Sequence, residues 1–508
     1  MTGPLRVLLP SDVFPPRCGG AGWSAHALAL ALIGRGHDVT AIVPRRRTKD
    51  QEPRTKGERS LGRGAAALER EEVAERQPAS IKSQAPSPTL NIGLSSLAPG
   101  LEDVLGVPTV RVDYWAPNVP IVQNYFRHER LWPRLADAIA DIAGSPAQSA
   151  ISNLQSPIIH AQHVQSAPAA VLAGRRLGAP VVITVRDHWP WDYFSTGLHG
   201  DRLPYGRQTW ASLAADLPAR LGPARGAAAL LAIPYMLAHL RRRQEALRQA
   251  QAVIAVSRYM ARRLEPIVGA ERVYVLPNIV DLAAIDAAIA TPAASVAPGE
   301  PYLLFVGKLE RNKGAHLLID VFRELATLGA WGLGLGAWEP GAAQASHASP
   351  QVPQLIIAGD GPLRPELERE LAALGLQVRF LEWVDHDEVL RLMAGCELLL
   401  FPSAWGEPLS RVPLEASACR AAILAMPTGG TPDIIDDGVN GALETTPGGF
   451  ARRLAQLLAD PARRRELGAA ARRVARERFA KEVVAQRIEA LYRSLLYSSG
   501  QSAEASRQ

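Results

Sequence analysis

The chain has 508 residues, 47% hydrophobic and 21% charged, which calls for two or three domains with large packed cores. Its net charge of +6 and pI of about 9.3 are spread along the chain, so an anionic partner fits but no nucleic-acid partner is implied. Three distant cysteines (Cys18, Cys396, Cys419) show no metal spacing and argue against disulfides, and the N-terminal MTGPLRVLLPSD lacks the features of a signal peptide, so a cytoplasmic setting is expected.

Residues 5–9, LRVLL, form a continuous apolar run of the kind found in a buried parallel strand. The loop PSDVFPPRCGGAG follows. WSAHALALALIGRG then predicts a helix and HDVTAIVP a second strand, a right-handed βαβ opening. Within RCGGAGWS (17–24), adjacent glycines let backbone amides approach an anion, and Gly20, Gly22 and Ala25 mimic the G-x-G-x-x-A dinucleotide pattern. The first glycine stands well past the strand, however, and no acidic residue follows the second strand. An anion loop and a flexible turn both stay open.

Residues 46–107 are polar, charged and rich in Pro and Ser, which predicts a poorly ordered insertion. Alternation resumes with the strand SPIIHAQH, the helix SAPAAVLAGRRLG and the strand APVVITVRD. His160 and Gln162 alternate onto one strand face, and His163 lies at the strand end. A core histidine is the ordinary explanation, and strand-end placement adds a ligand role. Arg186, Asp187 and His188 at the next exit either touch a substrate or pair with one another. Residues 191–250 read as helical. Their apolar stretch GAAALLAIPYMLAHL (226–240) contains Pro234 and is shorter than the roughly 20 residues that span a bilayer. Followed by three arginines, it suits either peripheral contact with anionic lipid or an internal packing helix. AVIAVS and VYVLPN are further strands, and ATPAASVAPGE (290–300) is a linker closing a first domain of residues 1–289.

A second α/β series fills residues 301–462, with another insertion at 330–352. Its strands are PYLLFVGK, QLIIAGDG, VRFLEWV, ELLLFPS, AAILAMP and GALETT. Helices over 463–496 follow, and then a disordered tail, 497–508. The fold class is α/β: two doubly wound domains with a ligand cleft between the carboxyl ends of two sheets.

Two motifs carry the chemistry. Arginine is the default cation here, since only six of 56 basic residues are lysine. In VGKLERNKG (306–314), Lys308 and Lys313 therefore stand out at a strand exit before a helix, a good diphosphate site. In WGEPLSRVPLE (405–415), Pro408 and Pro413 argue against one helix through Glu407 and Glu415. The spacing predicts Glu407 in a strand-to-helix loop, Ser410 as N-cap and Pro413 in the first turn. The amides of Leu409, Ser410 and Arg411 would then face an anion, with Glu407 aimed at the group attached to it. DHD (385–387) resembles a metal-binding Asp-x-Asp, but it precedes a helix, where Asp is a good cap; no metal site is expected.

VGKL-x3-KG, AGDGP, FLEWV, EPLSRVPLEASAC and TGGTPDIIDDGVNGAL, with IIHAQH, TVRD, AVIAVS and LPNIVD in the first half, resemble the retaining glycosyltransferases of family 4. The resemblance implies the GT-B fold, two Rossmann-like domains facing across a cleft, with the last helix crossing back onto the first. It implies transfer of a hexose from a nucleotide-diphosphate sugar to a glycan, lipid-linked or small-molecule acceptor, with no metal and no cofactor. By the same resemblance, Lys308 (in place of the usual arginine), Lys313, Gly307 and Gly20 meet the diphosphate. Glu407 meets the sugar and Glu415 the ribose, and Trp383 and Val384 edge the base. The family's sugar-contacting histidine falls at Gln162, with His163 adjacent. A glycoside hydrolase, a sugar-nucleotide epimerase and a non-catalytic nucleotide-sugar-binding protein are the alternatives.

Overall fold

The computed structural model describes residues 3–16, 18–47, 101–119, 122–144, 156–196, 208–297, 299–328 and 353–505. Two sheets organise them. The first holds β1 (Arg6–Pro10), β2 (Asp38–Arg46), β3 (Leu101–Val104), β4 (Val107–Tyr114), β5 (Ile158–Ala161), β6 (Val181–Val185), β7 (Ala252–Ala255) and β8 (Val273–Val275), in the order β3-β4-β2-β1-β5-β6-β7-β8. All neighbours are parallel except β3, which runs antiparallel to β4. The second holds β9 (Tyr302–Val306), β10 (Gln354–Ala358), β11 (Val378–Phe380), β12 (Leu398–Phe401), β13 (Ile423–Ala425) and β14 (Ala442–Leu443), ordered β11-β10-β9-β12-β13-β14 and parallel throughout. With helices on both faces, these strands are buried on both sides and read as solid apolar runs: every residue of β5, β6, β7 and β12 is buried.

The strand order reverses direction between β1 and β5 in one sheet and between β9 and β12 in the other. Such switch points open a crevice at the carboxyl ends of the strands. Close backbone packing builds the second one. Gly314, at φ 73°, lies so near the exit of β12 that a Cβ there would sit 1.7 Å from the Pro402 carbonyl oxygen. Gly359 lets the β10 exit press on the β9 exit, where a Cβ would stand 2.0 Å from the Gly307 oxygen.

The chain returns to the first lobe at its end. Val280 N–H donates to the Phe479 carbonyl at 2.9 Å and Lys481 N–H to the Val280 carbonyl at 3.1 Å. The helix Lys481–Ala505 then lays Val484, Ile488, Leu491, Tyr492 and Leu496 into the core beside Leu28 and Leu32 of the helix Gly20–Gly34. The expected tail at 497–508 is corrected here: helix continues to Ala505, and 506–508 lie outside the described residues. The expected insertion at 46–107 is corrected at both edges, because Arg46 belongs to β2 and residues 101–107 form β3 and its turn into β4. Residues 48–100 lie outside the described residues, as does the insertion expected at 330–352.

Helices Trp210–Leu221, Pro223–Ala229 and Ile233–Gln249 fill the helical stretch after β6. Ala229, Ile233, Met236 and Leu240 turn inward against Tyr193, Leu213 and Leu217. The apolar stretch 226–240 thus packs one side inward, while Ala227, Ala228, Leu231 and Pro234 are exposed, and nothing in this packing supports lipid contact. No helix among the described residues is long and apolar enough to cross a membrane.

Candidate active site

The exits of β9 and β12 bring Lys313 and Glu407 together, 94 positions apart in sequence. The Lys313 ammonium bonds Glu407 Oε1 and lies 5.2 Å over the ring centroid of Trp405. Glu407 is buried, and its backbone is held by Gly430 N–H donating to its carbonyl at 2.7 Å. Lys308 is exposed at the exit of β9, next to Gly307. Ser410 stands at the N-cap of the helix Arg411–Ala418 with extended backbone, but its hydroxyl caps nothing. Pro413 sits in the first turn, where its missing N–H costs nothing.

Glu415 follows one turn into that helix and is buried. Arg411 Nη2 reaches its Oε1 at 2.6 Å, and His386 Nε2 reaches the same oxygen at 3.1 Å. Burial alone would raise this carboxyl's pKa; His386 and Arg411 outweigh it and hold it below the ordinary value. His386 is raised in turn, first by its hydrogen bond to Glu415. Asp385 caps the helix His386–Gly395 by accepting from Glu388 N–H at 2.9 Å, so the DHD stretch is a helix start. Trp383 is exposed just beyond β11, and Val384 beside it packs partly on the core.

The first lobe meets this site from the other side. Gly20 opens the helix Gly20–Gly34 with no side-chain cap, and a Cβ there would lie 2.9 Å from the Arg411 side chain. His163, at the exit of β5, is clamped between Asp12 (Nδ1 to Oδ2, 3.1 Å) and Asp187 (Nε2 to Oδ2, 2.7 Å). Burial disfavours charge on the ring, but the two carboxylates outweigh it and push its pKa up to about 10. With both nitrogens engaged, His163 serves as an imidazolium brace and is no free base. The other Asp12 bonds cap the helix Ser166–Leu177 through Gln165 and Ser166 N–H, at 2.6 and 2.7 Å.

Arg186 and Gln162 stand beside this brace. Arg186 donates to the Gln162 carbonyl at 3.2 Å and to Asn278 Oδ1 at 3.3 Å; burial, with Arg411 nearby, lowers its pKa to about 10. Gln162 is buried, and its Oε1 has no partner among the described residues. His160 is corrected as a sugar or acceptor candidate. Its ring is fully buried, bonded to Tyr492 O–H at 2.6 Å and Thr184 Oγ1 at 2.7 Å, and burial drives its pKa well down. It ties the last helix to the first sheet.

The sequence model for Glycosyltransferase Family 4 matches residues 18–284, and that for Glycosyl transferases group 1 matches 291–474. The chain belongs to glycosyltransferase family 4. Among family relatives, it is 28% identical over 276 residues to the alpha-maltose-1-phosphate synthase of Mycolicibacterium smegmatis, a match covering 49% of this chain and 65% of that protein. The chain thus spans less than two thirds of that relative's length. Among solved structures, sucrose-phosphate synthase from Thermosynechococcus elongatus superposes with a TM-score of 0.59 at 18% identity, covering 97% of this chain and all of that one. Anabaena HepE in complex with UDP and glucose gives 0.56 at 18%, covering 96% and all of that chain. These likenesses establish the GT-B fold.

Three side chains of this family 4 site escaped the sequence: Asp12, Trp405 and His386. Asp12 follows the first strand, so the rule that strand exits carry ligands was signal enough. Trp405 sits in the quoted motif and was passed over. His386 lies between the two aspartates of the DHD stretch, which reads as an Asp-x-Asp metal motif or as a helix cap, with no role given to the histidine.

Proposed function

We propose that the chain is a retaining hexosyltransferase that takes its sugar from a nucleotide-diphosphate donor and passes it to an acceptor hydroxyl by a front-face route. The observation that supports this most is Lys313 beside Glu407 at the β9/β12 switch point, next to a helix start that Ser410 leaves uncapped. As the anomeric C–O bond breaks, negative charge grows on the departing phosphate. Lys308, Lys313 and the amides of 409–411 stabilise that charge more in the transition state than before it. Glu407 orients the sugar hydroxyls and Glu415 the ribose. Among the described residues, the three contacts of the Glu415 carboxylate all fall on Oε1, which leaves Oε2 for a ligand. The acceptor hydroxyl enters on the face the phosphate leaves, and the phosphate oxygen takes its proton. The donor is a substrate here, and no cofactor or metal takes part.

HepE, a structural neighbour, is solved with UDP and glucose, which favours testing UDP-sugars first. The test is a parallel screen of UDP-, GDP- and ADP-sugars for acceptor-dependent nucleotide release. Conversion of a donor with no acceptor present would point to an epimerase, and nucleotide binding without turnover to a non-catalytic role. Hydrolysis of a glycoside carrying no nucleotide would point to a hydrolase.

A further inference from the structure

The loop between β12 and the helix Arg411–Ala418 has four successive carbonyls, and each has a donor. Gly406 O accepts from His188 Nε2 at 2.9 Å, Pro408 O from Ser257 Oγ at 2.5 Å and Leu409 O from Asn278 Nδ2 at 3.2 Å. Glu407 O accepts from Gly430 N–H. Only Gly430 belongs to the same lobe. The other three donors follow β6, β7 and β8, three neighbouring strands of the first sheet.

Each donor is oriented by a second bond. His188 is fully buried, and its Nδ1 accepts from Trp191 Nε1 at 3.1 Å, which leaves the ring proton on Nε2, toward Gly406. Burial lowers its pKa and keeps it neutral. The Ser257 hydroxyl accepts from Met260 N–H at 3.2 Å, so its own proton goes to Pro408. Asn278 Oδ1 accepts from Arg186, which turns its NH2 toward Leu409. Tyr259 closes the contact: a Cβ on Gly406 would meet its hydroxyl at 2.3 Å.

We propose that His188, Ser257 and Asn278 are positioning residues of the transferase site, which grip the donor loop by its carbonyls across the lobes so that Glu407 and the amides of 409–411 are set for the donor only when the lobes are closed. What the loop does rests on the function proposed above; that it is held does not. Opening the lobes would hand three carbonyls to water and free the loop from its register with the first sheet. Closing them therefore assembles the site as well as excluding water.

The test uses the full chain with His188→Phe, His188→Gln and Asn278→Asp. Turnover of the sugar nucleotide that serves the wild type is measured alongside hydrogen exchange and melting temperature. His188→Phe and Asn278→Asp should each cut kcat by about 10²-fold with little change in donor KM. Exchange should rise in peptides covering 404–412 and stay unchanged in β9, in β12 and around the interlobe ion pair Arg258–Asp433. His188→Gln returns an amide donor to Gly406 and should recover most of the activity. Unchanged kcat, or exchange rising evenly over the whole interlobe face, would overturn the proposal. If the wild type turns over no sugar nucleotide, the functional reading fails on its own. Protection of 404–412 then still decides the grip, and unaltered protection in His188→Phe refutes it.

Discussion

Lys313 and Glu407 form an ion pair between the exits of β9 and β12, with the lysine ammonium over the Trp405 ring. The carboxylate is the more buried partner, so losing the cation strands a charge that folding has largely desolvated. Lys313 is partly exposed, which keeps the cost of Lys313→Ala at or below about 3 kcal/mol. The kinetic effect should be larger, a loss of about 10²–10³ in kcat as leaving-group charge goes uncompensated. Glu407→Gln keeps the shape and should fold normally while losing turnover. Urea unfolding and steady-state kinetics on both variants check this; a Glu407→Gln enzyme with full kcat would remove that side chain from the mechanism.

Gly314 fixes the distance between those two exits. Its φ of 73° alone costs a side chain about 1–2 kcal/mol. A methyl group would also overlap the Pro402 carbonyl. Gly375 has the same φ and open space around it, so Gly375→Ala isolates the backbone term. Gly314→Ala should lower the melting temperature well beyond Gly375→Ala and weaken nucleotide binding, and equal shifts in the two variants would show that the loop gives way.

The strands were legible because two-sided burial writes them as apolar runs. The hairpin β3–β4 was not, since it borders a long polar stretch that masked it. The helix Leu131–Gly144 went unread although Leu131, Leu135, Ile139 and Ile142 mark its buried side at helical spacing. Within the site, the lysine scarcity and the proline pattern located Lys313, Glu407 and the helix start. Their pairing needed the sheet order, which places β9 beside β12. His160 shows the limit of strand alternation: β5 is buried on both faces, so period two cannot say which face meets the cleft.

His160 supplies a test of that correction. Tyr492→Phe removes one of its two partners and leaves a buried ring nitrogen unpaired, at a cost of about 1–3 kcal/mol. The loss should appear in unfolding midpoints, with kcat and acceptor KM unchanged. A shift in acceptor KM without a change in stability would return His160 to the acceptor site.

The Asp12–His163–Asp187 bridge makes stability depend on pH in a defined direction. His163 is raised from 6.5 to about 10 in the folded chain, so its contribution is full below pH 6.5, declines as pH climbs and is gone above about 10. Asp187 is lowered: burial opposes its charge, and His163 more than offsets that. Its contribution is present above 3.8 and is lost as pH falls through its depressed value. The bridge is therefore complete only from weakly acidic conditions up to about the ordinary histidine pKa. His163→Gln removes the titrating ring, so the urea midpoint gap between wild type and variant should be widest near pH 6 and close steadily toward pH 10. A gap that stays flat across that range would mean that the ring is neutral and that the two aspartates are held by something else.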